Sequence, residues 1–283
     1  MFPETLEFHI ADFVNSGVDY LLEKLAPTFD SIANGILEVL LGIENLLSAI
    51  PWWGYVFLVG FLAWKATKRL CSTIILPMSI LIIGVFGLWE LAIGTLSIVV
   101  AAVILALLMG VPLGILIAKV HCVGPIFHPI LDAMQTMPSF VYLIPTMMFF
   151  GLGKVPAVLA TLIYSLPPVI RLTALGLKQV PKPAQEAAIA YGATSWQLLK
   201  EVQLPLAMPT IMAGVNQTTM MALSMVVVAS MIGAQGLGQE VLLSINRIDM
   251  GRGFEAGISI VIMAIAIDRI TQGFARHLDP TKR

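Results

Sequence analysis

Two long stretches almost without charge limit what this chain can fold into. Over residues 70–118 the only formally charged residue is Glu90, and over residues 202–239 there is none. Roughly 18–20 consecutive apolar residues suffice to cross a bilayer as a helix, so both stretches are long enough to span. Overall, 58% of residues are hydrophobic and 12% charged, against about 45–50% and about 25% in an ordinary soluble domain. A water-soluble globule of 283 residues could not hide that much apolar surface. The sequence therefore reads as an all-α polytopic membrane protein.

The few charges carry positional information. Eight of the 17 acidic residues (Glu4, Glu7, Asp12, Asp19, Glu23, Asp30, Glu38, Glu44) fall in the first 50 positions, beside one base, Lys24. Residues 5–50 repeat apolar side chains at intervals of three and four (Leu6, Ile10, Phe13, Val14, Val18, Leu21, Leu22), an amphipathic helical pattern. Residues 1–51 are expected to form amphipathic helices, either at the membrane surface or as a soluble hairpin packed on the spans. Their acidic polar face suits the outer side better than an anionic cytoplasmic leaflet. Without a basic start and a continuous apolar core this leader is not a secretory signal, and it is expected to stay on the mature chain. The net charge of −1 argues against a nucleic-acid partner.

Residues 52–64 make a short or tilted span, flanked by Trp52, Trp53 and Trp64 as interfacial anchors and followed by Lys65, Lys68 and Arg69. Residues 70–118 must turn once, with the turn placed around Trp89, Glu90 and Gly94. In the second arm, Gly110 and Gly114 form a small-xxx-small pair that lets another helix approach closely. Pro138 and Pro145 interrupt residues 132–153, and Pro167 and Pro168 lie in residues 155–175. Such helices are expected to be kinked or discontinuous, and covered by protein or lining a cavity. Residues 207–234 and 256–274 complete seven spans, with six as the alternative.

With the N-terminus outside, ten bases (Lys65, Lys68, Arg69, Lys119, Lys178, Lys182, Lys200, Arg276, Lys282, Arg283) face the cytoplasm and four (Lys24, Lys154, Arg247, Arg252) face out. This follows the positive-inside rule. It divides the chain into the leader, a transmembrane domain over residues 52–274 with a cytoplasmic loop at 177–206, and a cytoplasmic tail at 275–283. Cys71 and Cys122 have no metal-ligand or redox spacing and read as packed thiols. His121 and His128 lack the spacing of a ligand pair and read as interfacial polar residues.

The cytoplasmic loop reads PKPAQEAAIAYGATSWQLLKEVQLPLAMP from Pro181. Pro183 suits a first helical turn, and Ala184 to Tyr191 are mostly good helix formers. Gly192 can take the left-handed conformation that ends the helix. Thr194 and Gln197 make a capping box for a second helix, expected to stop before Pro205. A short helix with a small-residue face should project into the cytoplasm, or pack on the chain's own loops.

Glu186-Ala187-Ala188, Gly192 after three residues, and Val202-Gln203-Leu204-Pro205 after nine more resemble the signature E-A-A-x3-G-x9-I-x-L-P of ABC importer permease subunits. Only Val202, where the pattern has Ile, departs from it. The resemblance implies a type I ABC importer permease fold. It implies that Glu186, Ala187, Ala188, Gly192, Leu204 and Pro205 belong to a coupling helix docked on an ATP-binding subunit. A narrower resemblance, to permeases of glycine betaine/proline betaine importers, rests on residues 130–145, 165–181, 216–241 and 254–272 and on the acidic leader. It implies a separate substrate-binding protein, with no fused binding domain expected, and a second permease copy.

No GxxxxGK[ST] occurs, so no cofactor is expected on this chain; ATP and Mg belong to the partner subunit. Gly233, Gly236 and Gly238 are read as an outer bend. No HExxH motif or nucleophile triad is present, so a metalloenzyme or hydrolase is not indicated. Glu90, Arg171, Asp268 and Arg269 lie near span ends, where snorkelling or a local ion pair accounts for them. A quaternary ammonium would favour aromatic faces, which makes Phe140, Tyr142, Phe149 and Phe150 the pathway candidates. The sequence leaves open other small solutes (choline, carnitine, methionine, taurine) and an ATP-independent channel.

Overall fold

The computed structural model describes residues 11–120 and 122–277, except for the side chains of Asp12 and His277. Over these residues the leader is one continuous helix, α1 (Ala11–Ser48), with Pro27 inside it. Ile36, Leu40 and Ile43, spaced four and three apart, turn one apolar stripe of α1 onto the main core, where Leu40 is fully buried. The Lys154 ammonium donates to both Glu44 carboxylate oxygens, at 2.7 and 2.8 Å. Replacing Lys154 with methionine strands that half-buried carboxylate and is expected to cost about 1 kcal/mol. A thermal melt in detergent checks this, and adding Glu44→Gln should recover most of the loss.

The segments expected to span are helical apart from short breaks at residues 137–138, 151–153 and 233–234 and the turn within 70–118. α4 (Trp89–Lys119), α7 (Lys154–Lys178), α10 (Leu204–Ala229) and α12 (Met250–His277) are long enough to cross a membrane unaided. α2 (Trp52–Thr67) and α3 (Leu70–Val85) have 16 residues each. The Ser139–Phe150 segment is also short, and α1 reaches spanning length and composition as well. The turn between α3 and α4 falls at residues 86–88, directly before the expected Trp89, Glu90 and Gly94, where Gly87 takes φ +69°. Glu90 then sits in the first turn of α4, where a carboxylate meets the positive helix end, and Gly94 is buried inside α4.

α7 lies between α4 and α10, and glycines set both contacts. A Cβ on Gly114 would sit 2.6 Å from Thr173 Cβ and 2.8 Å from the Ile170 carbonyl, and one on Gly110 would overlap Val169. On the other side, Gly214 of α10 lies against Leu172 and the Pro168 carbonyl, and Gly176 of α7 against Thr210 and Ala207. Pro167 and Pro168 are buried here and α7 runs through them unbroken, so the expected covering by protein is found without a break. Pro138 does break the chain. α5 (Gly124–Thr136) ends before it, and a 3-10 turn, Ser139–Tyr142, starts after it and leads into α6 (Leu143–Phe150).

At the other end of α10, Gly233 (φ +86°) and Gly236 (φ +153°) make the expected bend. The Leu237 N–H donates to Thr95 Oγ1 at 2.8 Å, tying the bend to α4. An amphipathic helix not anticipated from the sequence, α11 (Leu237–Arg247), follows. Arg252 clamps it: Nε donates to Glu240 at 2.7 Å, and Nη1 to Glu255 at 3.1 Å and to the Phe86 carbonyl at 3.0 Å. Cys71 and Cys122 are exposed free thiols, not packed ones, because they fall at the start of α3 and in the turn after α4. His121 lies outside the described residues, and His128 is exposed.

Candidate coupling site

The loop after α7 folds from its own sequence. α8 (Lys182–Ala190) starts with Pro183 in its first turn and ends where Gly192 takes φ +84°. The turn is closed by a capping box: the Thr194 N–H donates to Gln197 Oε1 at 2.8 Å, and the Gln197 N–H donates to Thr194 Oγ1 at 3.3 Å. The next helix, α9 (Ser195–Gln197), does not stop before Pro205 as expected. It passes through a π-helical segment, Leu198–Gln203, straight into α10.

The π segment explains the difference. Proline removes an N–H and crowds the carbonyl four residues back. Here the Leu204 N–H donates to Leu199, five residues back, and this wider turn admits Pro205 without breaking the helix. Residues 195–229 are therefore one continuous helical lever, with α8 set at its end by the Gly192 turn.

No residue of α8 is buried. Glu186 and Ala187 are exposed and Ala188 is half-buried, and among the described residues Glu186 has no hydrogen-bond or ion-pair partner for its side chain. Large side chains beside them also face outward: Ile189 is 57%, Trp196 67% and Tyr191 94% exposed. Leu204 packs on a small core of Leu177, Val180, Leu199, Ala207 and Ile211, and Pro205 is exposed. The loop is thus rooted on one side and bare on the other.

Two glutamines join α8 to the lever. Gln203 Nε2 donates to Gln185 Oε1 at 2.9 Å, and Gln185 Nε2 donates to the Val180 carbonyl at 2.9 Å. Neither stands out in the sequence, since a glutamine in a polar loop carries no pattern. Their places beside Glu186 and Leu204 were the available signal.

The four aromatic candidates occupy different settings. Phe140 is exposed. Tyr142 is buried and donates its hydroxyl to the Met134 carbonyl. Phe149 stacks on Phe29 of α1 at 4.9 Å between centroids, and Phe150 meets the same ring edge-on at 5.6 Å. Two polar side chains missed from sequence, Gln217 and Ser224, are exposed seven residues apart on one face of α10. Of the ionisable residues near span ends, Arg171 pairs with Asp132, and Asp268 accepts from Asn216 at 2.8 Å and Gln272 at 2.7 Å. Among the described residues no cluster of His, Cys, Asp and Glu could hold a metal ion.

Residues 110–283 match the family described as "Binding-protein-dependent transport system inner membrane component". The glycine betaine/proline betaine transport system permease protein ProW of Escherichia coli strain K12 is 46% identical over 93% of this chain and 74% of its own length. The glycine betaine transport system permease protein OpuAB of Bacillus subtilis strain 168 is 46% identical over 93% of each chain. The glycine betaine/carnitine transport permease protein GbuB of Listeria monocytogenes is 45% identical over 92% of this chain and 94% of its own. In fold, the chain resembles the inward-facing MetNI methionine ABC transporter, with a TM-score of 0.60 and 20% identity over 65% of this chain and 93% of that one. The chain belongs to the binding-protein-dependent inner membrane transport components: it is a multi-pass permease subunit of an ABC importer.

Proposed function

We propose that this permease imports glycine betaine or proline betaine by alternating access, driven through α8 by a partner ATPase. Two copies of the chain form the pathway, two ATP-binding subunits carry ATP and Mg, and a separate binding protein delivers the solute. The N-terminus lies outside with the amphipathic leader at the outer interface, and the C-terminus is cytoplasmic. The relatives named for glycine betaine transport, at 45–46% identity, support the substrate class.

One observation carries the mechanism: no residue of α8 is buried, and the tight turn at Gly192 joins α8 to α9, which runs without a break through the π segment into a membrane-spanning helix. A helix bare on one side needs a partner, and a lever rooted in α10 turns that partner's movement into tilt. Glu186 offers a charge, Ala187 and Ala188 allow close approach, Gly192 makes the turn, and Leu204 and Pro205 lie where the lever enters the membrane. Gln217 and Ser224 project from α10 at membrane depth, where polar groups face protein or a water-filled path rather than lipid. That face is assigned to the second copy and the pathway. Phe140 is the aromatic free to meet the solute, with Tyr142, Phe149 and Phe150 shaping the wall behind it.

Gln185 and Gln203 act as positioning residues in this scheme. Replacing Gln203 with leucine removes one bond and replacing Gln185 removes two, each worth about 1 kcal/mol. The expected result is a several-fold drop in uptake per ATP hydrolysed, with ATPase binding unchanged. Reconstituted vesicles in which uptake and phosphate release are followed together check it. An unchanged ratio of solute to ATP contradicts the role.

A further inference from the structure

A cavity of about 80 Å³ lies where the α2–α3 turn meets the end of α12, lined by Thr67, Arg69, Ser72, Arg269, Gln272, Gly273 and Arg276. Arg269, Gly273 and Arg276 are spaced four and three apart, so α12 presents them on one face. Gly273 sets the geometry: a Cβ there would overlap Ala66, and only its absence lets α12 lie against the end of α2. That contact brings two guanidinium groups of α12 to the turn holding the third. None of the three has an ion pair among the described residues. Asp268, the nearest carboxylate in sequence, is engaged by Asn216 and Gln272.

Three like charges converging on one small polar cavity repel each other unless an anion sits among them. Guanidinium forks suit phosphate oxygens, which they can bind in pairs. The setting selects among phosphates. The hairpin that supplies Arg69 exposes Phe57, Phe61, Trp64, Ile74 and Ile75, so the cavity opens beside a surface that contacts acyl chains. Basic pockets between membrane helices at this depth bind anionic headgroups. We infer that Arg69, Arg269 and Arg276 form a binding site for the phosphate headgroup of an anionic phospholipid. The leaflet, cytoplasmic, rests on the orientation proposed above; the binding itself does not.

The test is native mass spectrometry of the full chain in detergent, titrated with phosphatidylglycerol or phosphatidylcholine. Wild type is expected to hold one phosphatidylglycerol per chain in preference to phosphatidylcholine. The triple variant Arg69→Gln, Arg269→Gln, Arg276→Gln should bind it about a hundredfold more weakly, each base near an anionic surface contributing about fivefold. A triple Arg→Lys variant keeps the charge and guards against misfolding; loss of the forked donors should leave it intermediate. The control Lys65→Gln, Lys68→Gln removes nearby charge that does not line the cavity, and should bind as wild type.

Unchanged binding in both triple variants overturns the site. Equal loss in the lysine control overturns it too, since general surface charge then accounts for the binding. Full displacement of the lipid by inorganic phosphate assigns the cavity to a soluble anion and overturns the lipid. Because the readout is lipid retention, its failure is distinguishable from failure of the transport reading.

Discussion

Replacing Gly192 with isoleucine is expected to abolish ATP-driven uptake while the protein still inserts into the membrane. Gly192 holds φ +84° with nothing within 4 Å of the Cβ position, so the obstacle is backbone conformation and not space. The left-handed region costs an L-residue roughly 1–2 kcal/mol, and a branched Cβ more. The turn would relax by re-aiming α8 relative to the lever, and residues 195–229 would no longer follow the partner. Asparagine, which tolerates this conformation better, should restore part of the uptake. Deleting residues 186–191 removes the docking surface itself and should give the same loss. Uptake assays paired with membrane fractionation check both, and normal transport by either variant sinks the coupling assignment.

Gly114→Leu is expected to be the most damaging single change to the fold. Its side chain would enter a contact in which even a Cβ sits 2.8 Å from the Ile170 carbonyl and 2.6 Å from Thr173 Cβ. Backbone cannot rotate away as a flexible side chain can. Overpacking of this kind costs about 1–3 kcal/mol, and here α4 and α7 must separate along the contact that organises the core. Loss of folded protein in detergent extracts, followed by size-exclusion profile and thermal melt, measures it. Gly257→Ala is the contrast: nothing lies within 4 Å of that Cβ position, and the gain in helix propensity should leave the melt unchanged or slightly higher.

The parts of this fold legible in the sequence are those governed by local chemistry or by the bilayer. The Gly110/Gly114 pair, the left-handed Gly192, the Thr194/Gln197 box and the bend at Gly233 and Gly236 all stand where their spacing put them. Each depends on a few neighbours or on one close approach. What escaped depends on distant partners or on helical phase. Pro205 reads locally as a stop, but the π turn before it shifts the hydrogen bonds by one residue and the helix continues. Pro167 and Pro168 leave α7 unbroken because α4 and α10 enclose it. α11 stayed hidden in a polar loop, since its order depends on Arg252 reaching Glu240 and Phe86.

At the site, sequence spacing identified the motif residues but not their mechanical connection. Glu186, Ala187 and Ala188 were legible as a signature; the Gln203–Gln185–Val180 chain was not, because a hydrogen bond between two loop glutamines leaves no periodic trace. The aromatic candidates show the converse. Phe149 and Phe150 stand out in the sequence by residue type alone, and the structure adds a contact with Phe29, more than a hundred positions earlier. The basic cavity required α12 and the α2–α3 turn to be placed side by side before its three arginines could be read together.

In the proposed scheme this chain moves a betaine across the membrane using ATP hydrolysed by another subunit. Uptake of labelled glycine betaine into vesicles holding the permease, its ATPase and its binding protein measures this directly. The expected result is uptake that requires ATP and all three proteins, and that unlabelled proline betaine suppresses while methionine does not. Uptake at the same rate without ATP, or without the ATPase subunit, would contradict it.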